Sequence, residues 1–107
     1  MASRSYIVDL PGGTATQTVQ IQAKSTLRRA ILSSVNAAVG KTEISTSSAS
    51  QIGTAQPTGV VARFNHSATA GQNNEVVEFV LPVTAFQSVY VHQTGAGNIG
   101  TMTLITA

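Results

Sequence analysis

The chain has 107 residues, a net charge of +2, only 9% charged residues and no cysteine. That length accommodates one hydrophobic core, so residues 1–107 are read as a single domain, and the missing cysteines exclude a disulfide framework, thiolate catalysis and a cysteine zinc site. Ordinary soluble domains carry about 25% charged residues; a surface this poor in charge and this rich in Ser and Thr is weakly protected against association and suits a protein partly covered by neighbours.

At the N-terminus, MASRSYIVDL carries a charge at Arg4 and loses its apolar run at Asp9 and Pro11, which leaves no signal-peptide core. Residues 2–6 read as a short arm leading into a strand over 6–10. Pro11-Gly12-Gly13 is a turn signal, and 18–23 alternates Val19, Ile21 and Ala23 with polar residues, the pattern of a half-buried strand. No run approaches the roughly 20 apolar residues of a membrane-spanning helix. The expectation is a protein made and used without secretion or membrane insertion.

Residues 26–39, TLRRAILSSVNAAV, are ambiguous. Leu27, Ala30, Ile31, Ser34, Val35 and Ala38 stand at helical spacing, with Ser25 as an N-cap and Gly40 as a stop. The rival reading makes 27–34 a strand and 36–41 a turn, closing a hairpin with a strand over 42–46. Propensity leaves the two level; context favours the strand, because a lone helix among strands would have to cover a face that a second sheet should cover.

Further strands are expected at 60–64, 78–81 (bounded by Pro82), 88–92 and 101–105, separated by turn signals at 56–59, 70–74 and 95–98. About eight short strands at near-regular spacing predict an all-β, antiparallel sandwich or barrel.

Candidate chemistry fails for want of partners. Gly95-Ala96-Gly97-Asn98-Ile99-Gly100 fits the dinucleotide fingerprint, but a Thr-rich strand follows where a helix and a later acid are required, so it reads as a glycine-rich turn between the last two strands. His66, expected in a loop, and His92, expected beside Tyr90 on the outer face of its strand, have no acid at metal-ligand spacing. Glu75 and Glu78 stand three apart on one strand and point to opposite faces, unlike an acid–base pair. No Gly-x-Ser-x-Gly elbow accompanies the many hydroxyls. Asn65-His66-Ser67 fits a glycosylation acceptor without a route to be used. No catalytic residue, metal ligand or cofactor is therefore expected, and the chain is read as a non-enzyme.

Charge is uneven along the chain. All six basic residues lie within residues 1–63 against Asp9 and Glu43, whereas 64–107 hold only Glu75 and Glu78. Arg28-Arg29 is the only adjacent basic pair and has no aromatic neighbour to stack a base, so nucleic acid is not the expected partner.

The stretches STLRRAILSSVNAAVGKTEIST and EVVEFVLPVTAFQSVYVHQTGAGNIGTMTLITA resemble the small jelly-roll decoration or cement proteins of tailed-bacteriophage capsids. The resemblance covers about residues 19–107, rests on the succession of strands without signature residues, and departs at Phe86, where such modules often carry glycine. It implies an eight-stranded jelly roll that forms a homo-oligomer, a trimer or dimer, or bridges major capsid protein subunits on the virion surface after assembly in the host cytoplasm. Ala2, Ser3, Arg4, Ser5 and Tyr6 of the arm, with Lys24, Arg28 and Arg29, are the expected partner-binding residues. A carbohydrate- or receptor-binding module of fibre or lectin type is the competing expectation; it needs exposed aromatics, and most of Tyr6, Tyr90, Phe64, Phe79 and Phe86 look buried.

Overall fold

The computed structural model describes residues 3–34, 39–68, 74–95 and 99–107. Among them run eight strands: β1 (Ser5–Pro11), β2 (Ala15–Ile21), β3 (Ser25–Ser34), β4 (Gly40–Ser45), β5 (Val60–His66), β6 (Asn74–Val83), β7 (Gln87–Gly95) and β8 (Ile99–Thr106). β1 pairs with β8, β2 with β7, β3 with β6 and β4 with β5, all antiparallel. These are the pairs of one long hairpin whose tip is the β4–β5 connection. Rolling that hairpin up adds the pairs β3–β8 and β4–β7 and divides it into two sheets, β1-β8-β3-β6 and β2-β7-β4-β5. The result is a jelly-roll sandwich, two interlocked Greek keys.

Alternation along each strand builds the core. Leu10, Leu27, Leu32, Met102 and Leu104 of the first sheet meet Ile21, Ile44, Phe64, Val89 and Val91 of the second, all buried. Fully burying such a side chain is worth roughly 1.5–3 kcal/mol. Gly12 and Gly13 turn the chain from the first sheet to the second at φ of 86° and 69°, a conformation open mainly to glycine, and the Gly12 N–H donates to Gln93 Oε1 at 3.3 Å.

Residues 25–34 are strand, and the structure shows why their pattern imitates a helix. A β-bulge lies between Leu27 and Arg29 in both pairings of β3. Against β8 it inserts Arg28 as an extra residue, whereas against β6 the extra residue lies on β6, where Phe79 and Val80 stand opposite Arg28; the next buried side chain after Leu27 is Ala30, three positions on instead of two. Val35 to Ala38 lie outside the described residues. The expected hairpin of 27–34 with 42–46 does not form: β3 lies between β8 and β6, while β4 lies between β7 and β5 in the other sheet. Burial alternation marks each strand but carries no information about which sheet it joins. Pro82, expected to end its strand, is taken up inside β6 opposite Thr26, which an edge strand tolerates. His66, expected in a loop, is the last residue of β5 and is buried.

Candidate functional site

The outer faces of the two sheets differ. On the β2-β7-β4-β5 sheet, the register brings Thr16, His92, Glu43 and Arg63 into one row across all four strands. Glu43 is fully buried; its Oε1 accepts from Arg63 at 2.8 Å and its Oε2 accepts from the Gln51 N–H at 3.0 Å. His92 lies 2.9 Å from Thr16 Oγ1 through Nδ1 and 2.8 Å from the Ser47 carbonyl through Nε2. A carbonyl only accepts, so the Nε2 proton goes to Ser47 and the Thr16 hydroxyl donates to Nδ1. Glu43 and His92 therefore both hold segment 46–59, which covers the centre of this face and leaves Thr16, Thr18 and Gln20 of β2 exposed. Arg63 also donates to the Gln51 carbonyl at 3.2 Å. His92 does lie on the outer face with Tyr90, stacked on it at 6.0 Å between ring centroids, but the covering segment buries it.

Among the described residues no such segment covers the outer face of the β1-β8-β3-β6 sheet. Ile7, Thr103, Ile31 and Val76 form one row across it. Ile7 is 71% exposed, Val76 57% and, further along β6, Val80 64%. Beside that row lies Ser5-Ile105-Arg29-Glu78, in which Arg29 donates to Glu78 at 3.0 Å. This exposed ion pair is worth about 1 kcal/mol at most.

At the Arg29 end this face dips into an open cleft of about 500 Å³, lined by Ser3, Arg28, Arg29, Phe79, Val80 and Ile105. Three of the residues expected to bind a partner, Ser3, Arg28 and Arg29, thus meet in one place. The others are spread differently. Arg4 is held to β8 by its backbone, its N–H bonded to Thr106 Oγ1 and its carbonyl to the Thr106 N–H. Ser5 and Tyr6 belong to β1 and not to a free arm; Tyr6 packs against the core and its hydroxyl accepts from the Gln22 N–H at 3.2 Å. Lys24 sits exposed at φ 60° in the turn between β2 and β3. Ala2 lies outside the described residues.

The row around the buried Glu43 and His92 escaped sequence reasoning because its members come from four strands. One signal was available: residues 46–59 are long for a hairpin connection, where about 2–5 residues suffice, and that excess is the chain that covers the row. In the glycine-rich stretch Gly95 ends β7 and Gly100 sits inside β8, so the last glycine lies in a strand and opens no helix; 96–98 lie outside the described residues. Among the described residues no three His, Asp or Glu side chains gather where they could hold a metal ion.

His66 carries a pH dependence. It faces the sandwich interior, its Nε2 lies 2.6 Å from Thr42 Oγ1, and its buried Nδ1 has no hydrogen-bond partner among the described residues. Burial holds its imidazole below the ordinary value. The unfolded chain therefore binds this proton more readily, so the full stability is present above about pH 6.5 and is lost as pH falls toward the lower folded value. Melting temperature should fall with acidification over that window, and His66→Gln should flatten the slope; an unchanged slope would assign it to other groups.

Comparison of the chain with protein-family models, with curated proteins and with solved structures finds no match.

Proposed function

We propose that the chain is a non-catalytic structural module of a virion that sits on capsid subunits through the outer face of its β1-β8-β3-β6 sheet and cements them. The observation that carries this reading is the contrast between the faces: one has its centre, Glu43, Ser45 and His92, buried under the chain's own segment 46–59, while the other leaves Ile7, Val76 and Val80 in solvent. An open apolar sheet face of this kind marks a surface to be covered. Its size supports repeated engagement. A patch of four strands by about seven residues measures about 19 Å by 23 Å, roughly 450 Å². A stable pairwise complex covers about 800 Å² per partner, so this face alone makes a weak contact that a symmetric lattice multiplies into avidity.

A non-catalytic role is supported by the commitment of the one buried carboxylate, Glu43, to Arg63 and Gln51. Among the aromatic residues only Phe86 is well exposed, at 67%, which gives a sugar little to stack on. Two measurements test the proposal. Mass spectrometry of purified particles from the source should find the chain in stoichiometric amount. Ile7→Asp with Val76→Asp should abolish its sedimentation with particles and leave its melting temperature within about 3 °C, as expected for exposed positions. A chain that is absent from particles and binds an oligosaccharide overturns the proposal in favour of a glycan-binding module.

A further inference from the structure

We infer that the cleft at the β3 bulge is a carboxylate-binding site that takes an extended acidic segment of a partner protein, with Arg28 as its anchor. The bulge is the origin of the site. In an unbroken strand consecutive side chains point to opposite faces, so one of two adjacent arginines would be driven into the core. Arg28, the extra residue in the pairing with β8, instead lies exposed beside the exposed Arg29, between the buried Leu27 and Ala30, and both arginines line the cleft. Bulges that re-aim a side chain are concentrated where a fold does its binding.

The two arginines differ in what they already hold. Arg29 is bonded to Glu78, whereas Arg28 is exposed and has no ion-pair or hydrogen-bond partner among the described residues. A free guanidinium presents a planar fork that matches a carboxylate with two parallel hydrogen bonds. Charge at this end of the sheet favours an anion: Arg4, which precedes β1, and Lys24, which precedes β3, are both exposed and join Arg28 and Arg29, against Glu78 and the Ala107 carboxylate at the cleft.

The floor selects the kind of anion. Phe79, Val80 and Ile105 give the cleft an apolar base beside the cations. A peptide in extended conformation places every second side chain on the same face, so a segment with acidic and aliphatic residues alternating on that face meets Arg28 and the apolar floor together. A nucleic-acid backbone needs a row of free cations, one per phosphate contacted, and this cleft offers one with the second already neutralised. The cleft is continuous with the open sheet face through Arg29, Val80 and Ile105, so an acidic segment bound there enlarges the small contact that the face makes alone. In this respect the inference rests on the reading of that face as an assembly surface.

The test uses the whole chain, labelled with nitrogen-15, and a capped peptide of sequence Glu-Ser-Val-Ser-Glu, whose Glu and Val side chains share one face when extended. Titration should shift the Arg28 and Arg29 side-chain resonances and the Val80 and Ile105 amides, and leave the row around His92 unmoved. The same peptide with Lys in place of Glu should shift nothing. Arg28→Ala should weaken binding about tenfold or more at unchanged melting temperature, the loss expected for one charge-assisted contact, with Arg28→Lys in between. Glu78→Gln, which frees Arg29 and removes a like charge, should tighten it severalfold. Equal shifts with the Lys peptide, undiminished binding by Arg28→Ala, weaker binding by Glu78→Gln, or the same shifts from oligo-dT but not from the acidic peptide would each overturn the inference. Peptide binding by a chain that is absent from particles would keep the cleft and reject the shell; a chain found in particles whose cleft ignores the peptide would do the reverse.

Discussion

Replacing Glu43 by Ala should lower the stability of the fold by about 3 kcal/mol, or about 15 °C in melting temperature for a domain of this size. The carboxylate is fully buried and serves two donors, the Arg63 guanidinium at 2.8 Å, whose other acceptor is the Gln51 carbonyl at 3.2 Å, and the Gln51 N–H at 3.0 Å. Removing it leaves a cavity, an unpaired backbone donor and a cation two-thirds withdrawn from water, with the Arg63 side chain 32% exposed. That residual exposure keeps the expected loss at the lower end of the range for a broken buried pair. The double variant Glu43→Ala with Arg63→Ala should be less damaging than the two single effects combined, because it removes the stranded charge with its partner. Hydrogen exchange locates the effect: the Gln51 amide should lose protection in Glu43→Ala ahead of the amides of β8. A drop of under about 3 °C would mean that segment 46–59 stays in place without the ion pair, held by its other bonds, from His92 and Ser45 to Ser47 and from Arg63 to the Gln51 carbonyl.

This expectation bears on function because it separates the covered face from the open one. If Glu43→Ala releases segment 46–59, the outer face of β2-β7-β4-β5 becomes accessible with Tyr90 and His92 on it, and the chain acquires a second surface to associate through. The buried ion pair then acts as a selector, ensuring that only the β1-β8-β3-β6 face is presented. Self-association that rises in Glu43→Ala and is indifferent to Ile7→Asp would show that selection directly.

How far the sequence discloses this molecule depends on whether the information is local. Strands were legible because alternation is a property of neighbouring residues: Val19 with Ile21, Val89 with Val91, and Met102 with Leu104 are buried as their spacing requires. Strand partners were not, since β3 and β4 follow one another in the chain yet join different sheets. Of the site, the basic stretch at Arg28 and Arg29 was visible as composition, but their joint exposure depends on a bulge whose only sequence trace is the spacing of Leu27 and Ala30, which a helix also produces. His92 was placed on the correct face and misjudged in exposure, because what buries it is segment 46–59, a stretch with no pattern of its own. The row of Thr16, His92, Glu43 and Arg63 lay beyond local reading altogether; it exists only once four strands are in register.

Gly100→Ala should be strongly destabilising for the change of a single methyl group. Gly100 lies in β8 facing the sandwich interior, opposite Ser34 of β3 and Leu10 of β1, where the two central strands of the sheet run together. A Cβ built there collides with the Ser33 carbonyl oxygen and approaches the Ser34 Cα to 2.8 Å. Both obstacles are backbone, so no rotamer change relieves them, and Ser33 is itself paired to Thr101 on one side and Asn74 on the other. Relief requires β3 and β8 to separate at this end, which costs ladder hydrogen bonds in addition to the roughly 1–3 kcal/mol typical of an overpacked core. The expected result is a loss of about 3 kcal/mol or more, with early exchange of the Ser34 and Thr101 amides and with the Arg28 end of the same strands still protected. That last contrast decides the matter for function. If the damage stays at the Gly100 end, the variant should still bind the acidic peptide in the Arg28 cleft, and the last glycine of the Gly95–Gly100 pattern is explained by strand packing alone. If peptide binding fails at temperatures where β8 remains folded, the two ends of the β3–β8 ladder are coupled and the cleft depends on the whole sheet.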